Sequence, residues 1–204
     1  MAHNEDADIR ILTGAYERLS VPGDRPAELD LGCGTGSFTI ALAARYPERQ
    51  FFCADVMLGR LRKVVRRRNR AGVANLEVLR VEARHLIGIM FPDDSLDRIH
   101  LLCPDPWPKD RHRGHRLLAS DFTTQIHRVL KPGGIFHFSS DDVNYCDAVG
   151  RVLEASELFE PYQEGIADLD GVRSDFENHW REQGLDVPHR AWKRLDLPKP
   201  GIGH

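Results

Sequence analysis

Residues 28–36 read Glu28-Leu29-Asp30-Leu31-Gly32-Cys33-Gly34-Thr35-Gly36, a glycine-rich turn between an apolar run and a helical pattern. The run Ala27–Leu31 predicts a buried strand, and Ser37–Arg45, whose apolar residues recur at helical spacing, predicts a helix that ends before Pro47. The three glycines let the backbone turn sharply and let a ligand approach the main chain closely, because no Cβ intervenes. The stretch therefore predicts the first strand–loop–helix unit of an α/β ligand-binding fold.

The same alternation of short apolar runs and helical patterns continues through residues 27–155, as parallel α/β folds require. Further strands are predicted at Gln50–Val56, Leu76–Val81, Leu96–Leu102 and Ile135–Ser140. Further helices are predicted at Leu58–Ala71, His115–Leu130 and Asp142–Ala155. The remainder predicts a strand near Leu158–Tyr162, a helix at Ser174–Gln183 and a last strand around His189–Leu195. We expect one domain over residues 27–197, preceded by a short amino-terminal segment (1–26) and followed by a flexible tail (198–204).

Length and composition are those of a globular protein with a sizeable core. The chain has 204 residues, 41% of them hydrophobic, and a net charge of −3. No stretch approaches the roughly 20 apolar residues of a membrane span, and the polar, acidic amino terminus is unlike a signal peptide. The four cysteines show no paired metal spacing, and no metal site is predicted. These features favour a cytoplasmic protein with reduced thiols and no membrane contact.

Positive charge is concentrated in two places despite the negative total. Arginine and lysine crowd the predicted helix Leu58–Ala71 and the loop at residues 109–116, whereas acidic residues cluster near the amino terminus and over residues 141–186. A local basic surface can hold a polyanion such as RNA. A solvated helix face has the same composition, so both interpretations of the basic helix stay open.

Two carboxylates near the glycine-rich turn indicate which cofactor it binds. Asp55 ends the next predicted strand, where a carboxylate can accept hydrogen bonds from two ribose hydroxyls. A dinucleotide enzyme has the same general plan, but here Ser37 occupies the position of its third glycine. Asp30 would repel a pyrophosphate and attract the cationic methionine portion of S-adenosylmethionine. The predicted cofactor is therefore S-adenosylmethionine, and its predicted contacts are Asp30, Gly32, Gly34, Gly36, Asp55, Glu82 and Ala83.

Glu82 and Ala83 follow the third predicted strand and fit a contact with the adenine edge. An acidic residue at the start of a helix, favoured by the helix dipole, is an equally good interpretation of Glu82.

Residues 104–113 read Pro104-Asp105-Pro106-Trp107-Pro108-Lys109-Asp110-Arg111-His112-Arg113 and follow the predicted strand Leu96–Leu102. Ligands of open α/β sheets bind at this carboxyl end of the strands. A carboxylate and a flat ring there suit a planar, hydrogen-bonding substrate such as a nucleobase, on which Trp107 could stack. The alternatives are a proline-stiffened surface turn and a Trp107 that only packs locally.

The loop at residues 105–112, together with the glycine-rich turn, resembles the tRNA (guanine-N7)-methyltransferase family, the TrmB-like enzymes. The resemblance extends over roughly residues 27–195. It implies a Rossmann-like class I methyltransferase fold: a seven-stranded, mostly parallel sheet of order 3-2-1-4-5-7-6 with helices on both faces. It also implies S-adenosylmethionine-dependent methylation of a tRNA guanine at N7.

The resemblance further implies roles for individual residues. Asp105 would be the catalytic or guanine-orienting carboxylate, and Asp30, Asp55 and Glu82 would hold the cofactor. The implied substrate contacts are Lys109, Asp141, Ser174, Asp175, Phe176 and Glu177. The chain has Ser174-Asp175 where the family has Thr-Lys, which keeps the hydroxyl and reverses a charge.

Two other functions stay open. The modest basicity, the short amino-terminal segment and Asp175 favour a small-molecule N-methyltransferase on the same scaffold. A non-catalytic RNA-binding protein could also retain the cofactor pocket. The sequence leaves the choice between a monomer and a homodimer open as well.

Overall fold

The computed structural model describes residues 5–14, 17–104 and 120–196, which form an eight-stranded sheet with helices on both faces. The strands are β1 (Ile9–Ile11), β2 (Ala27–Leu31), β3 (Gln50–Asp55), β4 (Leu76–Arg80), β5 (Leu96–Leu102), β6 (Leu130–Ser139), β7 (Phe159–Pro161) and β8 (His189–Arg194). The α-helices are α1 (Ser37–Arg45), α2 (Leu58–Ala71), α3 (Ala83–His85), α4 (Ser120–Val129), α5 (Val143–Ala155) and α6 (Asp175–Glu182). Short turns of other helix types lie at Glu5–Asp8, Leu86–Met90 and Gln163–Leu169.

The strands are arranged in the order β1-β4-β3-β2-β5-β6-β8-β7. Only β8 runs antiparallel to its neighbours β6 and β7. From β4 to β7 this is the order 3-2-1-4-5-7-6 that the resemblance implies, so the predicted class I methyltransferase fold is confirmed. The predicted number of strands is too small by one.

The additional strand is β1, which extends the sheet beyond β4. Ile9 pairs in parallel with Val78, and Ile11 with Arg80. Ile9 is buried whereas Arg10 and Ile11 are exposed, which suits a short edge strand. Three residues carry too little periodicity to predict a strand, and pairing with β4 and burial of Ile9 in the core stabilise it.

The boundary between α4 and β6 also differs from the prediction. The predicted helix continues through Leu130, but α4 ends at Val129 because Leu130 already pairs with Leu96 of β5. The stretch 131–134 then forms a bulge within β6, so that Ile135 pairs with Arg98. Gly134 is required there, since a Cβ would lie 2.8 Å from the Lys131 carbonyl oxygen.

Apolar side chains pack on both faces of the sheet. One face packs against α4, α5 and the Leu86–Met90 turn, and the other against α1, α2 and the Gln163–Leu169 turn. In β2, Leu29 and Leu31 point to the first face. Glu28 and Asp30 alternate with them and are nevertheless buried, at 2% and 3% exposure. The second face therefore carries buried polar groups beside its apolar core.

Within the described ranges, the helices are all too short or too polar to cross a bilayer.

Candidate active site

Two adjoining cavities lie at the carboxyl edge of the sheet. The smaller, of about 270 Å³, extends from Asp55 and Glu82 to Pro104 and Tyr145. The larger, of about 410 Å³, lies between the glycine-rich turn and the start of α6. Four residues line both cavities: Gly32, Arg60, Leu102 and Cys103. The two cavities thus form one continuous depression at the position where α/β sheets bind ligands.

The glycines of the turn serve two different purposes. Gly32 and Gly34 have φ of +81° and +56°, and a Cβ on either would meet no atom within 4 Å. Their backbone therefore faces open space that a ligand can enter. A Cβ on Gly36 would instead lie 2.8 Å from the side chain of Val64, so Gly36 is required for the packing of α1 against α2.

Asp55 ties the turn to the end of β3. Its Oδ2 accepts a hydrogen bond from the Gly34 N–H at 3.2 Å, and its Oδ1 accepts one from the Met57 N–H at 2.8 Å. The Arg60 guanidinium lies 3.4 Å from Oδ2. A carboxylate has about four acceptor positions, so Asp55 retains capacity toward the cavity that it lines.

Asp30 is buried at the base of the larger cavity and accepts a hydrogen bond from the Thr39 hydroxyl. Burial raises the pKa of Asp30 to about 7, against the lowering effect of Thr39, and the charge of Asp55 raises it further. A cation placed in this cavity would favour the ionised form of Asp30.

Glu82 begins the short helix α3, where its Oε2 accepts a hydrogen bond from the His85 N–H at 2.9 Å. It thus has the helix-start role that the sequence left open. Glu82 and Ala83 also line the smaller cavity, as Asp55 does. Both interpretations of Glu82 are therefore compatible with its position.

Helix α6 begins on the glycine-rich turn. Ser174 caps the helix by accepting a hydrogen bond from the Glu177 N–H at 3.1 Å. Asp175 accepts hydrogen bonds from the Thr35 hydroxyl at 2.6 Å and from Arg67 at 2.7 Å. Burial raises the pKa of Asp175, but these two hydrogen bonds outweigh it and lower the pKa below its ordinary value.

The remaining predicted substrate residues are placed differently from one another. Phe176 is 44% exposed and lines the larger cavity, and Asp141 follows β6 at the same edge of the sheet. Glu177 lines neither of these two cavities and is buried against Arg181 and His189. Asp105 and Lys109 lie outside the described residues.

Cys103 is a site residue that sequence reasoning missed. It has φ of +44°, a conformation that non-glycine residues adopt rarely and that recurs at functional sites. Its N–H donates to the Ser139 carbonyl oxygen at 2.8 Å, so β6 holds the turn that leads from β5 into the loop. Burial raises the pKa of its thiol to about 11, despite the hydrogen bond with Ser139. The thiol is therefore neutral and forms part of the cavity wall. In the sequence, only its position directly before Pro104 could have indicated that Cys103 is a site residue.

The basic helix α2 is largely paired with acids of the same chain. Arg62, Arg66 and Arg68 form ion pairs of 2.6–2.7 Å with acids of the Glu5–Asp8 turn, and Arg67 pairs with Asp175. A polyanion would therefore have to compete with these carboxylates. Ion pairs near the surface are weak and screened by salt, so the competition is feasible.

Comparison with known proteins identifies the family. The family model "Putative methyltransferase" matches residues 24–189. The tRNA (guanine-N(7)-)-methyltransferase of Geobacter metallireducens is 35% identical over 174 residues, which cover 80% of this chain and 79% of that protein. The chain belongs to the tRNA (guanine-N7)-methyltransferase family.

Another member of this family, from Syntrophotalea carbinolica, is 39% identical over 150 residues. These cover 73% of this chain and 65% of that protein, so the chain spans about two thirds of its length. Among solved structures, the 16S rRNA methyltransferase KamB matches with a TM-score of 0.61 at 16% identity, covering 84% of this chain and 88% of KamB. That similarity concerns the fold alone.

Proposed function

We propose that the protein transfers a methyl group from S-adenosylmethionine to N7 of a guanine in tRNA. One observation carries this proposal: the cavity that Asp55 lines continues along the sheet edge to Pro104, where the loop at residues 105–112 begins. Pro104, which directly precedes the motif that resembles the family's substrate loop, thus lies at the wall of this cavity. Family membership supports the reaction, and a tRNA substrate implies the cytoplasm, as the sequence predicts.

The residues present fit the cofactor. Asp55 would accept hydrogen bonds from ribose hydroxyls, and Glu82 and Ala83 would contact the adenine edge. The open space beside Gly32 and Gly34 leaves room for the methionine portion against the main chain. Asp30 would face its positive charge. Gly36 would contribute through the geometry of the turn.

The reaction requires alignment more than proton transfer. S-adenosylmethionine supplies a methyl group that its positively charged sulfur makes electrophilic. Guanine N7 has an exposed lone pair, so no residue needs to remove a proton from it. Holding the two reactants in line can lower the activation barrier by roughly 7–11 kcal/mol. We therefore assign Asp105 to orienting the guanine, through its N1 and N2 hydrogens, or to stabilising the positive charge that develops on the purine.

The other substrate residues would hold the nucleotide and its flanking phosphates. Lys109 and the basic residues near it would contact phosphate, as would α2 once its acidic partners are displaced. Phe176, which lines the larger cavity, and Asp141, which follows β6 at the same edge of the sheet, would contact the nucleotide. Ser174 and Asp175 would act through the position of α6, since both are engaged in helix capping and docking.

The test is mass spectrometry of nucleosides from unmodified tRNA incubated with the protein and S-adenosylmethionine. We expect 7-methylguanosine from the wild type and a loss of about a hundredfold in kcat/KM with Asp105→Ala, the usual effect of removing one preorganised polar group. Asp24→Ala is the matched control, because Asp24 is 72% exposed and precedes β2 at the opposite edge of the sheet. Equal activity of Asp105→Ala and the wild type would remove Asp105 from its role, and no methylated guanosine would refute the proposal.

A small-molecule acceptor is the second candidate, favoured by the neutralised basic helix. Salt separates the two, since a protein with several phosphate contacts loses affinity steeply as salt rises. If the affinity for tRNA does not change with salt concentration, the small-molecule acceptor is favoured. Single-turnover formation of product would exclude a non-catalytic RNA-binding protein.

A further inference from the structure

Five titratable side chains form a line across the sheet, on the face that packs against α1 and α2. They are Glu28 on β2, His100 on β5, His137 on β6, His189 on β8 and Glu177 on α6. The nitrogen–oxygen or nitrogen–nitrogen distances along the line are 3.0, 2.9, 2.8 and 3.2 Å. Each imidazole uses both ring nitrogens within the line, so the five groups form one continuous hydrogen-bonded chain.

Both ends of this histidine chain are ionised carboxylates. Burial would raise the pKa of Glu28, but His100, Arg98 and Arg49 outweigh it and lower the pKa to about 2. Burial also acts against ionisation of Glu177, and its hydrogen bonds with His189 and Arg181 lower its pKa below the ordinary value. An ionised carboxylate only accepts hydrogen bonds, so every proton within the chain must come from the imidazoles.

Counting those protons gives a definite result. Four hydrogen bonds need four N–H groups, whereas three neutral imidazoles provide three. We propose that the histidine chain carries one proton beyond three neutral imidazoles, that this proton resides on His189, and that it anchors α6 to the sheet. His189 is thereby a positioning residue for α6, which begins on the glycine-rich turn.

The surroundings favour His189, rather than His100 or His137, as the imidazole that carries the additional proton. His100 and His137 are buried, at 1% and 0% exposure, and burial lowers the pKa of both. The side chain of His189 is 22% exposed and contacts the Glu177 carboxylate directly. His189 lines a cavity together with His137 of β6 and with four charged groups: Glu164, Asp170 and Arg173 from the segment before α6, and Arg181 from α6.

Loss of the extra proton breaks the chain at a predictable place. Three neutral imidazoles supply three N–H groups for four hydrogen bonds, so one of the four must break. Each of the three inner bonds involves His100 or His137, which are fully buried, and an unpaired nitrogen there is costly. The outer bond, to Glu177, therefore breaks, and that carboxylate keeps Arg181 as its partner at 2.8 Å. Helix α6, which carries Phe176 at the candidate cavity, thereby loses its hydrogen bond to β8.

The variant Glu177→Gln tests the proton count specifically. A glutamine can donate its own N–H to His189, so three neutral imidazoles then satisfy all four hydrogen bonds. The control is Glu182→Gln, which removes an equal charge from an exposed position on the same helix. We expect ¹⁵N NMR of labelled histidines to show one imidazolium, on His189, in the wild type and in Glu182→Gln near neutral pH. We expect three neutral imidazoles in Glu177→Gln.

Amide hydrogen exchange of α6 provides the second measurement. Corrected for intrinsic rates, opening of α6 should increase roughly tenfold or more in the wild type as His189 loses its proton, the effect of losing one charged hydrogen bond. It should stay constant in Glu177→Gln over the same pH range. Three neutral histidines in the wild type, an imidazolium at His100 or His137, or an unchanged His189 titration in Glu177→Gln would overturn the proposal. Neither measurement needs cofactor or tRNA, so a failure of the histidine-chain proposal is distinguishable from a failure of the proposed function.

Discussion

Replacing Asp30 with asparagine should change how the stability of the protein depends on pH. The folded protein holds the pKa of Asp30 at about 7, mainly through burial, whereas its ordinary value is 3.8. Between these two values the unfolded chain has released the proton while the folded chain keeps it. The free energy of unfolding therefore falls as pH rises through this window and levels off above pH 7. An asparagine side chain cannot titrate, so the variant lacks this decline.

The expected size follows from the raised pKa. At 1.36 kcal/mol for each pKa unit, the rise from 3.8 to about 7 corresponds to roughly 4 kcal/mol. Between pH 4.5 and pH 8, the contribution of Asp30 to the free energy of unfolding should fall by most of that amount, about 3 kcal/mol. Relative to the wild type, Asp30→Asn should thus become progressively more stable as pH rises. Glu28 has a lowered pKa, so its contribution changes at lower pH and in the opposite direction.

The assay is urea unfolding of wild type and Asp30→Asn at several pH values, followed by circular dichroism. The quantity compared is the difference in free energy of unfolding between the two proteins, in which other titrating groups largely cancel. Asp55→Asn is an informative second variant, because removing that charge should lower the pKa of Asp30 and move the transition toward acid. A difference that stays constant from pH 4.5 to pH 8 would refute the assignment of a raised pKa to Asp30.

Three substitutions test the glycine-rich turn and its contacts. Gly36→Ala should destabilise the protein by roughly 1–3 kcal/mol, seen as a lower urea midpoint, because its Cβ would collide with Val64. At Gly32 the φ is positive but an added Cβ would meet no atom, so Gly32→Ala should cost only about 1 kcal/mol in stability. Its main effect should be weaker binding of S-adenosylmethionine, measured by calorimetry. Equal losses of stability and affinity in the two variants would contradict this division. Asp175→Asn should change stability by less than about 1 kcal/mol, since its pair with Arg67 is half-exposed, yet raise the KM for S-adenosylmethionine. An unchanged KM would argue against docking of α6 as a determinant of the site.

Local pattern predicted most of the fold because each element's own residues specify it. Ala27–Leu31, Ser37–Arg45, Leu58–Ala71 and Leu96–Leu102 have the bounds that the sequence predicts. A glycine or proline lies within two residues of at least one end of each, and each has an apolar pattern that favours its type. The strand Ile9–Ile11 was missed because its three residues are too few to show a pattern, and it is stabilised by pairing with β4 and by burial of Ile9.

The sequence by itself determined the α/β class, the edge of the sheet at which ligands bind and the family, since glycines, strand-end carboxylates and the loop at residues 105–112 are local signals. Glu28, His100 and His137 are polar groups buried within strands that the sequence predicts. Only the tertiary structure decided what those groups contact. His100 and His137 become neighbours because β5 pairs with β6, and Glu177 reaches His189 because α6 packs beside β8. Contacts between residues far apart in the chain depend on strand order and packing, and no local pattern encodes them.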